Sequence, residues 1–169
     1  MNQKFTILFD LDGTLVNTAP DLMRAHNYVM KKYGYNEREL SAIKKLAGRG
    51  SKVMLTKSLH EIAELSGKIK RTDDKIEEMT NEFINYYSKN ILKESTLKNG
   101  LVNFLSWCKK KNISMAVCTN KQEHLSVDLL KKINIYDFFE YVAGGNTFNY
   151  NKPNPKHLTD TIEILGGDL

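Results

Sequence analysis

Three short apolar runs along the chain each stop abruptly in polar residues: 5–9 (FTILF), 113–118 (ISMAVC) and, more weakly, 140–144 (EYVAG). Short unbroken apolar runs of this kind predict strands buried on both faces, as in a parallel sheet. Between the second and third runs, Leu125, Leu129 and Ile133 recur at four-residue spacing. Ahead of the second, Leu101, Phe104, Leu105 and Cys108 follow the i, i+3, i+4, i+7 pattern. Both are helix stripes. Strand–helix–strand order of this sort predicts a parallel sheet joined by right-handed crossovers.

The stretch 19–98 breaks that alternation. Leu22, His26, Val29, Met30 and Tyr33 form one helical stripe, ended by Gly34. Asn36 and Glu39 have the spacing of a capping box and predict the start of another helix. Thr72, with Asp73 and Asp74 behind it, caps a longer helix in which Ile76, Met79, Phe83, Tyr86 and Tyr87 share a face. No strand run is expected between 19 and 98. The pattern therefore predicts an α/β core made of residues 1–18 and 99–169, with an all-helical insertion, 19–98, after the first strand.

Composition narrows the picture modestly. At 169 residues, 41% hydrophobic and 27% charged, the chain is expected to fold around one core with an insertion. No apolar run approaches the roughly 20 residues needed to span a bilayer. The first residues, MNQKF, lead directly into a strand without a signal-like apolar region, so a cytoplasmic protein is expected. Cys108 and Cys118 lack metal-ligand spacing and read as small buried hydrophobes. The formal charge is +5, but the arginines (Arg24, Arg38, Arg49 and Arg71) are scattered and no aromatics are interleaved with basic clusters. Nucleic acid is not expected as a partner. Attraction of a small anionic substrate is enough to explain the sign, and a plain bias toward Lys, Asn and Ile explains it more simply still.

Asp10 and Asp12 stand where the first strand ends, and Gly13 allows a sharp turn with its amides exposed. In open parallel sheets ligands bind beyond the carboxyl ends of the strands. Once the strand breaks, both carboxylates can face one crevice. Such a pair is costly through repulsion and desolvation unless a cation compensates, and hard divalent ions such as Mg²⁺ suit oxygen ligands. Taken alone, Asp12-Gly13 reads first as a turn with Asp10 as a cap.

Two more polar sites follow strand ends. Thr119 and Asn120, in VCTNK, offer a hydroxyl and helix-start amides for phosphate, although both are ordinary helix caps. Lys152, in GGNTFNYNKPNP, is braced by Pro153 and Pro155 and can bring an ammonium to the same crevice; alone it reads as a solvated lysine in a turn. Three such sites in the same relative position make coincidence a poor explanation.

Together, FDLDGTLVNT, VCTN and KPNP resemble the first three motifs of the haloacid dehalogenase-like phosphohydrolases, and the resemblance covers nearly the whole chain. It implies a Rossmann-like parallel sheet with a helical cap after the first strand. Within the superfamily, DLDGTLVNTAPDL, the AGRG at 47–50 and GGNTFNYNKPNP look most like the phosphoglycolate phosphatase group.

By that resemblance Asp10 is the nucleophile, forming an aspartyl-phosphate, and Asp12 is the general acid and then the base for water. Mg²⁺ would be held by the Asp10 carboxylate and the Asp12 backbone carbonyl. Thr119 and the amides near Leu11, Asp12 and Asn120 would hold phosphate oxygens, with Lys152 pairing with Asp10. Arg49 has two readings: a grip on a second anionic group of the substrate, such as the glycolate carboxylate, or an exposed arginine in a helix-ending glycine loop. The implied activity is Mg²⁺-dependent hydrolysis of a small phosphorylated metabolite, 2-phosphoglycolate first. The alternatives are a sugar-phosphate or nucleotide phosphatase, a pyrophosphatase, a phosphomutase, or a non-catalytic remnant. The family's fourth motif, a further strand with acids that complete the metal site, has no counterpart here. Asp168 follows the helix-like pair Ile162 and Leu165 and the Gly166-Gly167 stop, so it is not expected to replace those acids. A chain without that motif is expected to leave the first strand's edge unpaired, and the 169-residue form to be weakly active.

Overall fold

A computed structural model describes residues 5–66 and 73–167. In chain order the strands are β1 (Thr6–Phe9), β2 (Val16–Asn17), β3 (Thr96–Leu97), β4 (Ser114–Cys118) and β5 (Tyr141–Ala143). The helices are α1 (Ala19–Lys32), α2 (Leu40–Leu46), α3 (Ser51–Ser66), α4 (Asp73–Lys89), α5 (Leu101–Lys110), α6 (Glu123–Lys132) and α7 (Lys156–Ile164), with one 3₁₀ turn at Tyr136–Phe138.

All three apolar runs become strands of one parallel sheet, ordered β1-β4-β5. β4 lies in the middle and every one of its five residues is buried, which is why its run is the purest. The register pairs Phe9 with Val117 and Cys118 with Ala143, so all three chains leave the sheet at the same end. Asp10, Thr119 and Gly144 are the first residues out.

β1 pairs only with β4 among the described residues, and its four residues are all half-buried. The helix beside it reflects that edge. In α5, Leu101, Leu105 and Cys108 are buried, whereas Phe104, expected on the same stripe, is 44% exposed. Phe104 instead meets Phe9 edge-on at 6.2 Å and stacks on Trp107 at 6.1 Å. No described element covers the helix face that looks past the sheet edge.

Helices α1 to α4 form a second packed layer between β2 and β3. α1 buries Leu22, His26, Val29 and Met30, and α4 buries Ile76, Met79, Phe83 and Tyr87, as the stripes require. Tyr86 of α4 stacks on Tyr28 of α1, with ring centres 4.2 Å apart. The capping-box expectation at Asn36 and Glu39 is corrected: α2 begins only at Leu40, and Glu39 makes no side-chain cap. Asn27 is the reason. Its side-chain amide bonds both the N–H and the C=O of Arg38, holding that segment extended, while the Arg38 guanidinium reaches Ser58 O and Glu61. The expected cap Thr72 and Asp168 both lie outside the described residues.

The chain crosses between the two layers twice, at β2 and β3, which pair antiparallel as Val16 with Leu97 and Asn17 with Thr96. The sequence reading expects no strand between 19 and 98, and β3 corrects it; two residues are too few for any periodicity to register. Asp21, in the first turn of α1, locks this neck. Its carboxylate is fully buried and accepts the N–H groups of Lys93, Glu94 and Ser95 and the Ser95 hydroxyl, and pairs with Arg24. Arg24 in turn reaches Glu94.

Asp21→Ala removes the acceptor of four donors, the N–H groups of Lys93, Glu94 and Ser95 and the buried Ser95 hydroxyl, and leaves Arg24 with Glu94 alone. It should cost about 3 kcal/mol or more of folding stability in denaturant titration; a loss below about 1 kcal/mol would show that the neck does not depend on this carboxylate. Acid sensitivity follows from two histidines. His26 and His157 are fully buried, and burial is the main cause pushing both imidazoles below their ordinary value, with Arg38 and Lys152 respectively adding to it. The folded state then holds them neutral while the unfolded chain takes protons near its usual pKa of about 6.5. Their stabilising contribution is complete above that pH and is lost as pH falls through the lowered folded values. The melting temperature should therefore decline as pH falls below about 6.5, and His157→Gln should flatten that decline; an unchanged slope in the variant contradicts the assignment.

Candidate active site

The crevice at the carboxyl end of the sheet is built from three loops and capped by a fourth. After β1 the chain turns tightly on the Leu11 carbonyl, which accepts the N–H groups of Leu15 and Val16 at 3.1 Å. The Gly13 N–H is bound to Val16 O at 2.7 Å, so the expected exposed amide at Gly13 is spent inside the turn. The turn separates the environments of the two aspartates. Asp10 keeps 31% side-chain exposure and accepts Lys152 Nζ at 2.9 Å on Oδ1. Asp12 keeps 5%; its Oδ1 accepts the Thr18 hydroxyl at 2.7 Å and lies 3.1 Å from Lys121 Nζ.

After β4 come Thr119 and Asn120. Thr119 is fully buried; its N–H donates to Ala143 O at 2.9 Å, and its hydroxyl oxygen accepts the Lys121 N–H at 3.3 Å. Asn120 donates from Nδ2 to Gly48 O and to Lys152 O, both at 3.1 Å, and so ties two other loops to this one. After β5 the backbone runs hard against the same place. A Cβ at Gly145 would sit 2.4 Å from Asn120 O, and one at Gly144 would sit 2.3 Å from the Glu123 nitrogen. Only glycine allows that contact, in which the Gly145 N–H donates to Lys121 O at 2.7 Å. The loop then returns Lys152, whose ammonium is fixed between Asp10 and Cys118 O at 2.8 Å.

The fourth loop, 47–50, joins α2 to α3 and descends onto the crevice. Gly48 and Gly50 take φ of +79° and +87°, and a Cβ at Gly48 would lie 3.7 Å from Asp10 Oδ2. Arg49, between them, is exposed and does not line the cavity beneath, which has a volume of about 40 Å³ and walls that include Asp12, Gly48, Ser51, Phe83, Tyr87 and Lys121. An open groove of about 700 Å³ reaches Asp12 from another side, with Lys44 and Lys98 on its walls.

The structure thus gathers Asp10, Asp12, Thr119, Asn120 and Lys152 at one sheet end. Leu11 has a fully buried side chain, so only its backbone is available to a ligand. Arg49 is near in sequence to the loop that touches the site but points no side chain into the cavity wall. Sequence reasoning missed Thr18, Tyr87 and above all Lys121. Lys121 is buried, 3.0 Å from the Tyr87 hydroxyl and 4.3 Å from the centre of its ring. Burial alone would push this ammonium down, but Asp12 and Tyr87 more than offset it and the net shift is upward. Burial pushes the Tyr87 hydroxyl up to about 12. The signal for Lys121 was its position directly behind Asn120; its partner on α4 is distant in sequence.

Chemically, each carboxylate carries its own ammonium, and a buried hydroxyl stands beside them. Among the described residues no group of three or more His, Cys, Asp or Glu side chains that could hold a metal ion exists, and of the two aspartates here Asp10 has the more open carboxylate.

The comparisons with known proteins agree with this layout. The family model for haloacid dehalogenase-like hydrolases matches residues 7–168. A phosphoglycolate phosphatase of Mesorhizobium japonicum is 32% identical over 96% of this chain and 69% of its own length. That of Agrobacterium fabrum is 34% identical over 96% of this chain and 67% of its own length. Among solved structures, one described as a predicted phosphoglycolate phosphatase from Haemophilus somnus superposes with a TM-score of 0.89 at 27% identity, over 99% of this chain and 74% of that one. A β-phosphoglucomutase from Clostridium difficile shares the fold at a TM-score of 0.76 and 23% identity, over 98% of this chain and 72% of that one. With the matching family model running through both aspartates, Thr119 and Lys152, the chain belongs to the haloacid dehalogenase-like hydrolases.

Proposed function

We propose that this protein is a phosphatase that hydrolyses small phosphate monoesters through Asp10, with 2-phosphoglycolate as its preferred substrate. The observation that carries the reading is the Asp10 carboxylate, held on Oδ1 by Lys152 at 2.9 Å, with Asp12 and Thr119 at the same sheet end.

With Oδ1 engaged, Asp10 Oδ2 is the oxygen that attacks phosphorus, giving an aspartyl-phosphate and splitting one displacement into two. The Thr119 hydroxyl already accepts a backbone N–H, so its own proton is available to a phosphate oxygen. Lys152 pairs with the nucleophile and the incoming phosphate together. Asp12 passes a proton, taken up from solvent as substrate binds, to the departing alcohol oxygen, then takes one from the water that releases phosphate. The 19–98 helices act as a cap, with the 47–50 loop excluding water from the first step.

The donor chemistry fits Mg²⁺. The Asp10 carboxylate and the Asp12 backbone carbonyl are hard oxygens, and this ion commonly takes one or two protein ligands, substrate phosphate and water. When bound it would neutralise charge between the anionic nucleophile and the anionic phosphate.

The substrate class rests on size and on the relatives. A cavity of about 40 Å³ holds about three water-sized volumes. That suits the two-carbon leaving group of phosphoglycolate, and both curated relatives bear that substrate's name. Arg49 stands outside the cavity, so a carboxylate grip by it requires the 47–50 loop to move. The 700 Å³ groove with Lys44 and Lys98 favours a second reading, a larger phosphate ester such as a sugar phosphate or nucleotide, approaching Asp12 from that side.

Two outcomes test this. Asp10→Asn should reduce turnover of 2-phosphoglycolate at least about a thousandfold with an unchanged melting curve; retention of most activity refutes the nucleophile. Chelation with EDTA should abolish turnover and added Mg²⁺ should restore it, and on the restored enzyme kcat/KM for 2-phosphoglycolate should exceed that for glucose 6-phosphate. Activity indifferent to EDTA overturns the cation, and preference for the hexose overturns the substrate.

A further inference from the structure

We propose that Lys121 is a positioning residue that aims Asp12 for proton transfer and makes that aim depend on the seating of helix α4 through Tyr87; this deepens the reading above and rests on it. The Lys121 ammonium touches Asp12 Oδ1 at 3.1 Å on one side and the Tyr87 hydroxyl at 3.0 Å on the other. Its backbone is anchored at both ends, N–H to Thr119 Oγ1 and C=O to the Gly145 N–H, so the stem starts from the sheet layer. Tyr87 belongs to α4, stacked on Phe83 at 5.8 Å, and both rings line the small cavity. One side chain therefore spans from the sheet end to the helical layer through the proposed acid.

Stability does not account for this arrangement. Burying an ammonium beside a carboxylate is costly, and a hydrophobic side chain of the same volume is often neutral or better. The strut does have a geometric effect. Asp12 Oδ1 is held by two donors, Thr18 and Lys121, which fixes the plane of the carboxylate and leaves Oδ2 as the oxygen that exchanges the proton with the leaving alcohol. Withdrawal of α4 would remove Tyr87 from Lys121 and loosen that plane, so proton transfer is armed only when the helices are seated.

The test compares two esters by kcat/KM, which reports the steps through departure of the alcohol. The alkoxide of 2-phosphoglycolate needs a proton to leave, and the nitrophenolate of p-nitrophenyl phosphate does not. Lys121→Met keeps the volume and removes the charge. It should lower kcat/KM for 2-phosphoglycolate about a hundredfold and that for p-nitrophenyl phosphate less than about fivefold. Lys121→Arg should recover part of the loss, and Tyr87→Phe, which keeps the ring, should give about a tenfold loss with the same ester selectivity. Equal losses on both esters in the Lys121 and Tyr87 variants, or no loss, overturn the proposal while leaving Asp10 chemistry intact. A wild-type protein inactive on both esters overturns the phosphatase reading and this role with it. Melting curves accompany each variant; if Lys121→Met does not fold, the ester selectivity of Tyr87→Phe decides.

Discussion

Two negative charges at the end of a buried sheet must be compensated, and the rest of this structure is arranged around that requirement. Asp10 and Asp12 are two residues apart, and the turn after β1 sends them to separate partners, Lys152 and Lys121, at 2.9 and 3.1 Å. Each lysine comes from a different strand-end loop. Parallel pairing brings those loops together: because β1, β4 and β5 all terminate in register, the residues that follow them converge without any long-range search. The glycines at 144 and 145 then let the third loop press against the second closely enough to return Lys152 to Asp10.

The helical layer contributes differently. Its described residues supply no carboxylate to the crevice walls, yet they touch the site. The 47–50 loop lies over Asp10 and is held by Asn120, and Tyr87 meets Lys121. Both contacts cross from one layer to the other, whereas the covalent crossings at β2 and β3 are secured by the buried Asp21. The neck is strongly bonded through Asp21, and over the site the described hydrogen bonds between the layers are those of Asn120 with Gly48 and of Lys121 with Tyr87.

The sheet was legible because its strands are short uninterrupted apolar runs, fully buried in β4 and half-buried at the β1 edge. Asp10, Asp12, Thr119, Asn120 and Lys152 were legible for a related reason: polar residues directly behind those runs have few places to go except the crevice. The start of α2 was misread because a tertiary contact, Asn27 on Arg38, overrode a local capping pattern. The β2–β3 pair is too short to carry a period. Lys121 sits in the same loop as two recognised residues, but its importance depends on Tyr87, 34 positions away on a helix whose pattern reports only that the ring is buried. Periodicity reveals which face is inside and is silent on which charge waits there. Phe104 illustrates the converse: it belongs to the stripe, yet at the sheet edge it meets Phe9 and Trp107 and stays 44% exposed.

A nucleophilic Asp10 must carry phosphorus covalently during turnover. The most direct measurement is rapid acid quenching of the protein mixed with Mg²⁺ and 2-phosphoglycolate, followed by mass spectrometry of its peptides. A phosphoryl group is expected on the peptide carrying Asp10, appearing before free phosphate accumulates and absent from Asp10→Asn. Turnover with no phosphorylated peptide at any quench time, or with the group on another residue, would contradict it.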